Sequence, residues 1–162
     1  MFALLTAAAA AATSPAALKP FTGLEGCWRG SGVVLGKPNT DVARGEWHLG
    51  GRYFLLQLRA LDPAHPYSAA ILYGEGGAAG EVSSYWMDSF GGAYSTTGKG
   101  TAAADGISVD YTYPNGVYTN RFVREGRGWH WTIDEKAPGK PARRFAEYHL
   151  APAPCTGLDF SF

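Results

Sequence analysis

The chain has 162 residues, of which 46% are hydrophobic, 14% aromatic and 17% charged, with 22 glycines and 10 prolines. Lys and Arg together number 14, as do Asp and Glu, so no net field draws the chain to nucleic acid or to an anionic membrane, and both partner classes are set aside. A domain of this size buries about 70% of the surface its unfolded chain exposes, enough for a core without a metal.

Residues 2–12 form an uncharged run rich in Ala and Leu, followed by Thr13-Ser14-Pro15-Ala16-Ala17. The run is too short for a bilayer span, which needs about 20 apolar residues. It has the length of a secretory h-region, and small residues follow it. Residues 1–17 are therefore expected to be a signal peptide, and the protein to be exported to the periplasm or secreted. No Lys or Arg precedes the run, which leaves an upstream start or an Ala-rich tail as alternatives. A barrel domain is expected over 18–155, and a C-terminal tail over 156–162.

After a non-strand lead-in at 20–25, period-two alternation bounded by turn residues recurs ten times. The runs are 28–35, 40–49, 52–61, 67–75, 81–89, 93–100, 107–113, 117–125, 129–135 and 142–150. Turn residues such as Gly50-Gly51, Gly91-Gly92, Pro114-Asn115-Gly116 and Gly126-Arg127-Gly128 separate them. No stretch has a helical period long enough for a parallel crossover. A long meander with one apolar face exposes two edges unless it closes. The expected fold is all-β, a single up-and-down antiparallel barrel of about ten strands. Trp28, set among glycines at the start of the first strand, is expected to plug one end.

Gly26-Cys27-Trp28 resembles the G-x-W signature of the calycins, the lipocalins and fatty-acid-binding proteins. Leu49-Gly50-Gly51-Arg52-Tyr53-Phe54, Tyr85-Trp86-Met87-Asp88-Ser89, Gly98 and Asp105-Gly106 resemble, in order and spacing, a bacterial lipocalin-like family with no assigned reaction. The resemblance covers about 21–150 and implies a barrel with a lumen. It also implies a late basic residue over the Trp28 indole; Arg143 and Arg144 are the candidates, and Arg144 is placed with Trp28 in the plug. Gly26-Cys27-Trp28-Arg29-Gly30-Ser31-Gly32 also resembles the opening of the nitrobindins, which hold haem through a late His. His149 has the comparable place, but the face Arg144/Ala146/Tyr148/Leu150 is the more apolar, which turns His149 outward. No cofactor is expected, with haem on His149 as the alternative.

Two cysteines in an exported chain suggest a pair. Cys27 and Cys155 meet if the first and last strands are neighbours. The four histidines, His48, His65, His130 and His149, contain no i,i+2 or i,i+4 pair, so their spacing encodes no zinc site. Glu46 with His48, and Asp88, are the candidates for acid–base chemistry. The alternation makes the first pair a solvated outer face and Asp88 a turn residue. No G-x-S-x-G nucleophile motif is present. Aromatic residues on nearly every strand suit a pocket that is apolar with a few polar groups. Tyr85, Tyr111, Tyr113 and Trp131 are expected to line it, with Arg121 as a carboxylate anchor. The expected function is binding of a small hydrophobic or amphipathic molecule in the lumen, without catalysis. The alternatives are a small lumen-active isomerase or hydrolase, a haem-binding barrel, or a ligand-free envelope interaction module.

Overall fold

The alternating runs become ten strands: β1 (Gly26–Val34), β2 (Lys37–His48), β3 (Tyr53–Ala60), β4 (Ser68–Glu75), β5 (Glu81–Asp88), β6 (Thr96–Ala103), β7 (Gly106–Tyr113), β8 (Gly116–Glu125), β9 (Gly128–Lys136) and β10 (Arg143–Ala153). The structure is a computed structural model that describes residues 15–160. Residues 1–14, and with them most of the expected signal peptide, lie outside the described residues. Each strand pairs antiparallel with the next, and β1 closes the ring on β10, from Cys27 opposite Ala153 to Val34 opposite Ala146. Closure leaves no strand edge to pair with another chain. The up-and-down barrel expected from the alternation is the observed fold.

In a ten-strand meander the turns alternate between two ends. The end that carries the start of β1 is closed by a segment that the alternation pattern marks only as a non-strand lead-in. Residues Ala16–Leu24 form a 3-10 helix, and its buried residues Ala17, Leu18, Phe21 and Leu24 recur at three-to-four spacing on one side. Leu18, Phe21 and Leu24 have no solvent exposure, and their burial contributes about 1.5–3 kcal/mol each. Phe21 meets Phe54 at 5.4 Å and Tyr73 at 4.6 Å between ring centroids. The helix ends at Glu25, which is extended, and Gly26 at φ 100° turns the chain into β1. Side chains at this point are strained in that backbone conformation, so Gly is the residue that fits.

Trp28 is buried, as its place among glycines suggested, and its indole N–H donates to the Leu24 carbonyl at 2.9 Å. The plug is therefore a helix with Trp28 as its anchor on the wall. Gly45 of β2 lets the backbones approach: a methyl there overlaps both the Leu24 carbonyl oxygen and the Phe54 ring. Trp129 of β9 holds the same helix from the other side, donating from its indole to the Gly23 carbonyl at 2.9 Å.

Cys27 and Cys155 form a disulfide across the β1–β10 seam, closing a loop with a sequence separation of 128. In the chain-entropy view a loop that long contributes up to about 5 kcal/mol. Beyond the bridge the tail runs back along the outside of the barrel, where Arg59 of β3 pairs with Asp159 at 3.4 Å.

Phe21→Ala removes the ring on which the helix and the wall meet. The variant is expected to lose about 3–5 kcal/mol of unfolding free energy, the usual range for a buried Phe-to-Ala change. Urea denaturation checks this, with a retained β-type circular dichroism spectrum showing that the barrel still forms.

Candidate functional site

The inward residues sort into three levels. At the plugged end Trp28, Phe54, Tyr73, Val82, Ile107, Phe122, Trp129 and Leu150 surround the helix, and all are buried. Above them an aromatic floor crosses the lumen. Phe122 stacks on Trp131 at 5.0 Å, and Trp131 stacks on Tyr148 at 5.2 Å. Trp86 meets Tyr111 edge-on at 5.4 Å. The polar atoms of this floor have partners: the Trp131 indole donates to Asn120 at 3.0 Å, and Tyr111 shares a 2.6 Å hydrogen bond with Ser84. These levels are solid core.

The third level, at the end away from the helix, differs in character. Asn39, Tyr67, Asp88, Tyr113, Tyr118 and Phe145 lie there at half-buried positions, although alternation turns most of them inward. Inward side chains that water still reaches mark an open mouth. Tyr118 bridges two neighbours edge-on, at 5.4 Å from both Tyr113 and Phe145. Tyr67 packs on Phe90 at 5.4 Å at the rim. The 60–67 loop stands between two open grooves of about 490 Å³ and 310 Å³, both lined by Leu61 and Asp62. The larger is also lined by Tyr67 and Phe90, the smaller by Asn39.

Three carboxyl groups face this mouth. Glu135 is buried and held by Arg143 at 2.6 and 2.8 Å. Asp88 accepts from the Trp86 indole at 3.2 Å, from the Tyr67 hydroxyl at 3.4 Å and from the Phe90 amide at 2.9 Å. Asp41 is the deepest, at 2% exposure. One of its oxygens accepts from the Asn39 amide at 2.9 Å, while the other is buried with no hydrogen-bond partner. Burial raises the Asp41 pKa above the usual carboxylate value, and the nearby Tyr148 hydroxyl and Asn39 amide act against that rise. The phenols are shifted up as well. Burial, then Asp88, raises Tyr67, and burial, then Asp41, raises Tyr148. Burial with Asp88 and Tyr118 nearby pushes Tyr113 up to about 12. At neutral pH these hydroxyls keep their protons, so the mouth offers O–H donors and carboxyl acceptors on an aromatic wall.

The sequence-derived site residues divide between this lumen and the outside. Trp131 and Tyr111 point inward but belong to the solid floor, at 2% and 1% exposure. Tyr113 lines the mouth. Tyr85 is on the outer face and 49% exposed, because Val82, Ser84 and Trp86 take the inner positions of β5. Arg121 is also outside, because Asn120 and Phe122 are the buried residues of β8. The carboxylate anchor expected in Arg121 is therefore not in the lumen; Asp41 and Asp88 face the mouth, and the arginine found there, Arg143, is held by Glu135. Arg144 does not reach Trp28. A register shift between Arg144 and Ala146 breaks the alternation of β10 and leaves Arg144 outside, paired with Asp134 at 2.7 Å. The arginine near the plug is Arg124, 5.1 Å over the Trp129 ring and bonded to the Gly23 carbonyl at 3.2 Å. A cation–π contact at an exposed site contributes about 0.5–1 kcal/mol. His149 lies on the outer wall, as the alternation of its strand indicates, paired with Glu125 at 2.8 Å. Glu46 and His48 lie on the outer face with Arg44.

Asn39, Asp41 and Glu135 were missed although the signal was present. Stepping back by twos from Trp47 gives Gly45, Ala43, Asp41 and Asn39. Stepping forward from Trp129 and Trp131 gives Ile133 and Glu135.

Asp41→Asn tests the buried acid. A carboxyl whose folded pKa is raised loses stability for the fold as pH climbs from the ordinary carboxylate range through the folded value, because the unfolded chain ionises first. The variant is expected to be more stable than the parent at pH 7, with the gap closing below about pH 4. Urea midpoints at the two pH values check it.

No protein-family model matches the chain, and no curated protein matches its sequence. Among solved structures it is similar to "Crystal Structure of Rv2717c from M. tuberculosis", at 15% identity, with 87% of this chain and 99% of that chain covered and a TM-score of 0.62. Likeness at that identity shows the fold alone. The chain is a ten-stranded antiparallel barrel consistent with the calycin-like resemblance, and membership of the lipocalins or of the nitrobindins does not follow from it.

Proposed function

We propose that the protein binds a small amphipathic molecule at the open mouth of the barrel, its apolar body on the aromatic wall and a hydrogen-bond donor or cationic head toward Asp41 and Asp88. The observation that carries this reading is the chemistry of the mouth. Tyr113, Tyr118 and Phe145 remain half-buried there, and the buried Asp41 has one oxygen without a partner. A buried acceptor left unsatisfied costs about 1–3 kcal/mol, which a ligand donor recovers. The solid floor of Trp131, Tyr148 and Trp86 limits the depth of binding, so the ligand is small or sits partly in the adjoining grooves. The disulfide supports an oxidising compartment, and no helix among the described residues is long and apolar enough to cross a membrane.

Decylamine and decanoate, which share a chain and differ in head group, test the reading. Decylamine is expected to bind and to shift the Trp86 indole and Asn39 side-chain amide resonances, with decanoate at least about tenfold weaker, one lost charged hydrogen bond. Asp88→Asn and Asp41→Asn are expected to weaken the amine about tenfold each on the same grounds. Equal binding of the two amphipaths, or binding that leaves the mouth resonances unmoved, refutes it.

A further inference from the structure

The barrel register brings together two histidines that lie 19 positions apart in the chain. His130 of β9 and His149 of β10 stand directly opposite one another. Both project outward, since Trp129, Trp131, Tyr148 and Leu150 occupy the inner face. Their rings stack in parallel, 4.8 Å between centroids and 5° between planes. Glu147 shares the outer face of β10 and reaches His130 Nε2 at 2.7 Å. One ligating atom from each of His130, Glu147 and His149 lies within 4.8 Å of the others.

We propose that this outer face of β9 and β10 is a binding site for a divalent first-row transition metal, best fitted by Zn2+, with His130, Glu147 and His149 as ligands. Two imidazoles and a carboxylate are a donor set zinc takes in three-ligand sites, with a fourth position left to water. Bonds of about 2.0–2.1 Å in a tetrahedral shell put ligand atoms about 3.3 Å apart. The His130–Glu147 separation is already near that spacing. His149 closes the rest by turning its ring, a soft terminal torsion, and the histidine side chains are 31% and 58% exposed, so nothing dense resists the movement.

The surroundings fit a cation. Glu125, at the end of β8, accepts or shares a proton with His149 Nδ1 at 2.8 Å. That contact leaves Nε2 of His149 for the ion, in the carboxylate–histidine–metal arrangement that orients a ligand ring and raises its basicity. Arg144 lies 3.2 Å from the second oxygen of Glu147, so Oε1 stays available, and Asp134 shares the same guanidinium at 2.7 Å. Glu147 and Glu125 thus each contact one of the two imidazoles, and Arg144 lies between Glu147 and Asp134. The site is on the wall, away from the lumen mouth, and stands whether or not the mouth binds an amphipath.

Untagged protein titrated with zinc chloride by calorimetry is expected to bind one ion per chain. His130→Ala and His149→Ala are each expected to weaken it by more than about tenfold, and Glu125→Gln by about tenfold, the lower end for an orienting partner. His48→Ala and His65→Ala are expected to bind as the parent does. In the unsubstituted protein zinc is expected to move the imidazole nitrogen resonances of His130 and His149 and leave those of His48 and His65 in place, a readout independent of any variant's folding. No 1:1 binding, undiminished binding in the His130→Ala/His149→Ala double variant, or resonance changes at His48 or His65 instead, each overturns the site.

Discussion

One contact organises the molecule: the Leu24 carbonyl, seated over Gly45 and capped by the Trp28 indole N–H. It fixes where the helix ends and where the first strand begins. Phe21 and Leu18, buried one and two turns earlier, then fill the space that ten closed strands leave around their axis. A barrel of this strand number has room for a small ligand. Here the helix and the aromatic floor consume most of it, and what remains accessible is displaced to the opposite end.

That displacement explains the polarity of the candidate site. Near the helix the inward residues are aliphatic or aromatic, because water does not reach them and the polar groups kept there are few, such as the Trp28 and Trp129 indoles that donate to helix carbonyls. Near the mouth Asp41, Asp88 and Glu135 can be kept, each supported by a neighbour such as Asn39, Trp86 or Arg143. The phenols of Tyr67, Tyr113 and Tyr148 sit between the two regimes, their bodies continuing the apolar wall, with the Tyr67 hydroxyl donating to Asp88 and that of Tyr148 accepting from Asn39. The gradient runs along the barrel axis from apolar core to carboxyl-bearing mouth.

How much of this was legible in the sequence depended on whether a single parity governed a strand. Ile107, Val109, Tyr111 and Tyr113 share one parity, and β7 was read the right way round. Tyr85 beside Trp86, and Arg121 beside Phe122, differ by one position, which is the whole difference between lumen and solvent. Arg144 lies at the far end of β10 from Pro152, the residue opposite Trp28, and the register shift in β10, which alternation counting cannot see, turns it outward as well. The lead-in at 20–25 was short and contained Pro20, so its extension into a buried helix from Ala16 left little periodic trace. The disulfide was legible through a topological argument, since a closed meander makes its first and last strands neighbours. The pairing of His130 with His149 follows from the β9–β10 register, and spacing along the chain carries no sign of it.

The bridge between Cys27 and Cys155 makes almost the whole chain a covalent loop. A protease that cuts once in any turn between those positions, whether at the 60–67 rim or at 137–142, leaves both pieces tethered, with the remaining ladders in place. The molecule can therefore be nicked once in that loop without its two pieces separating.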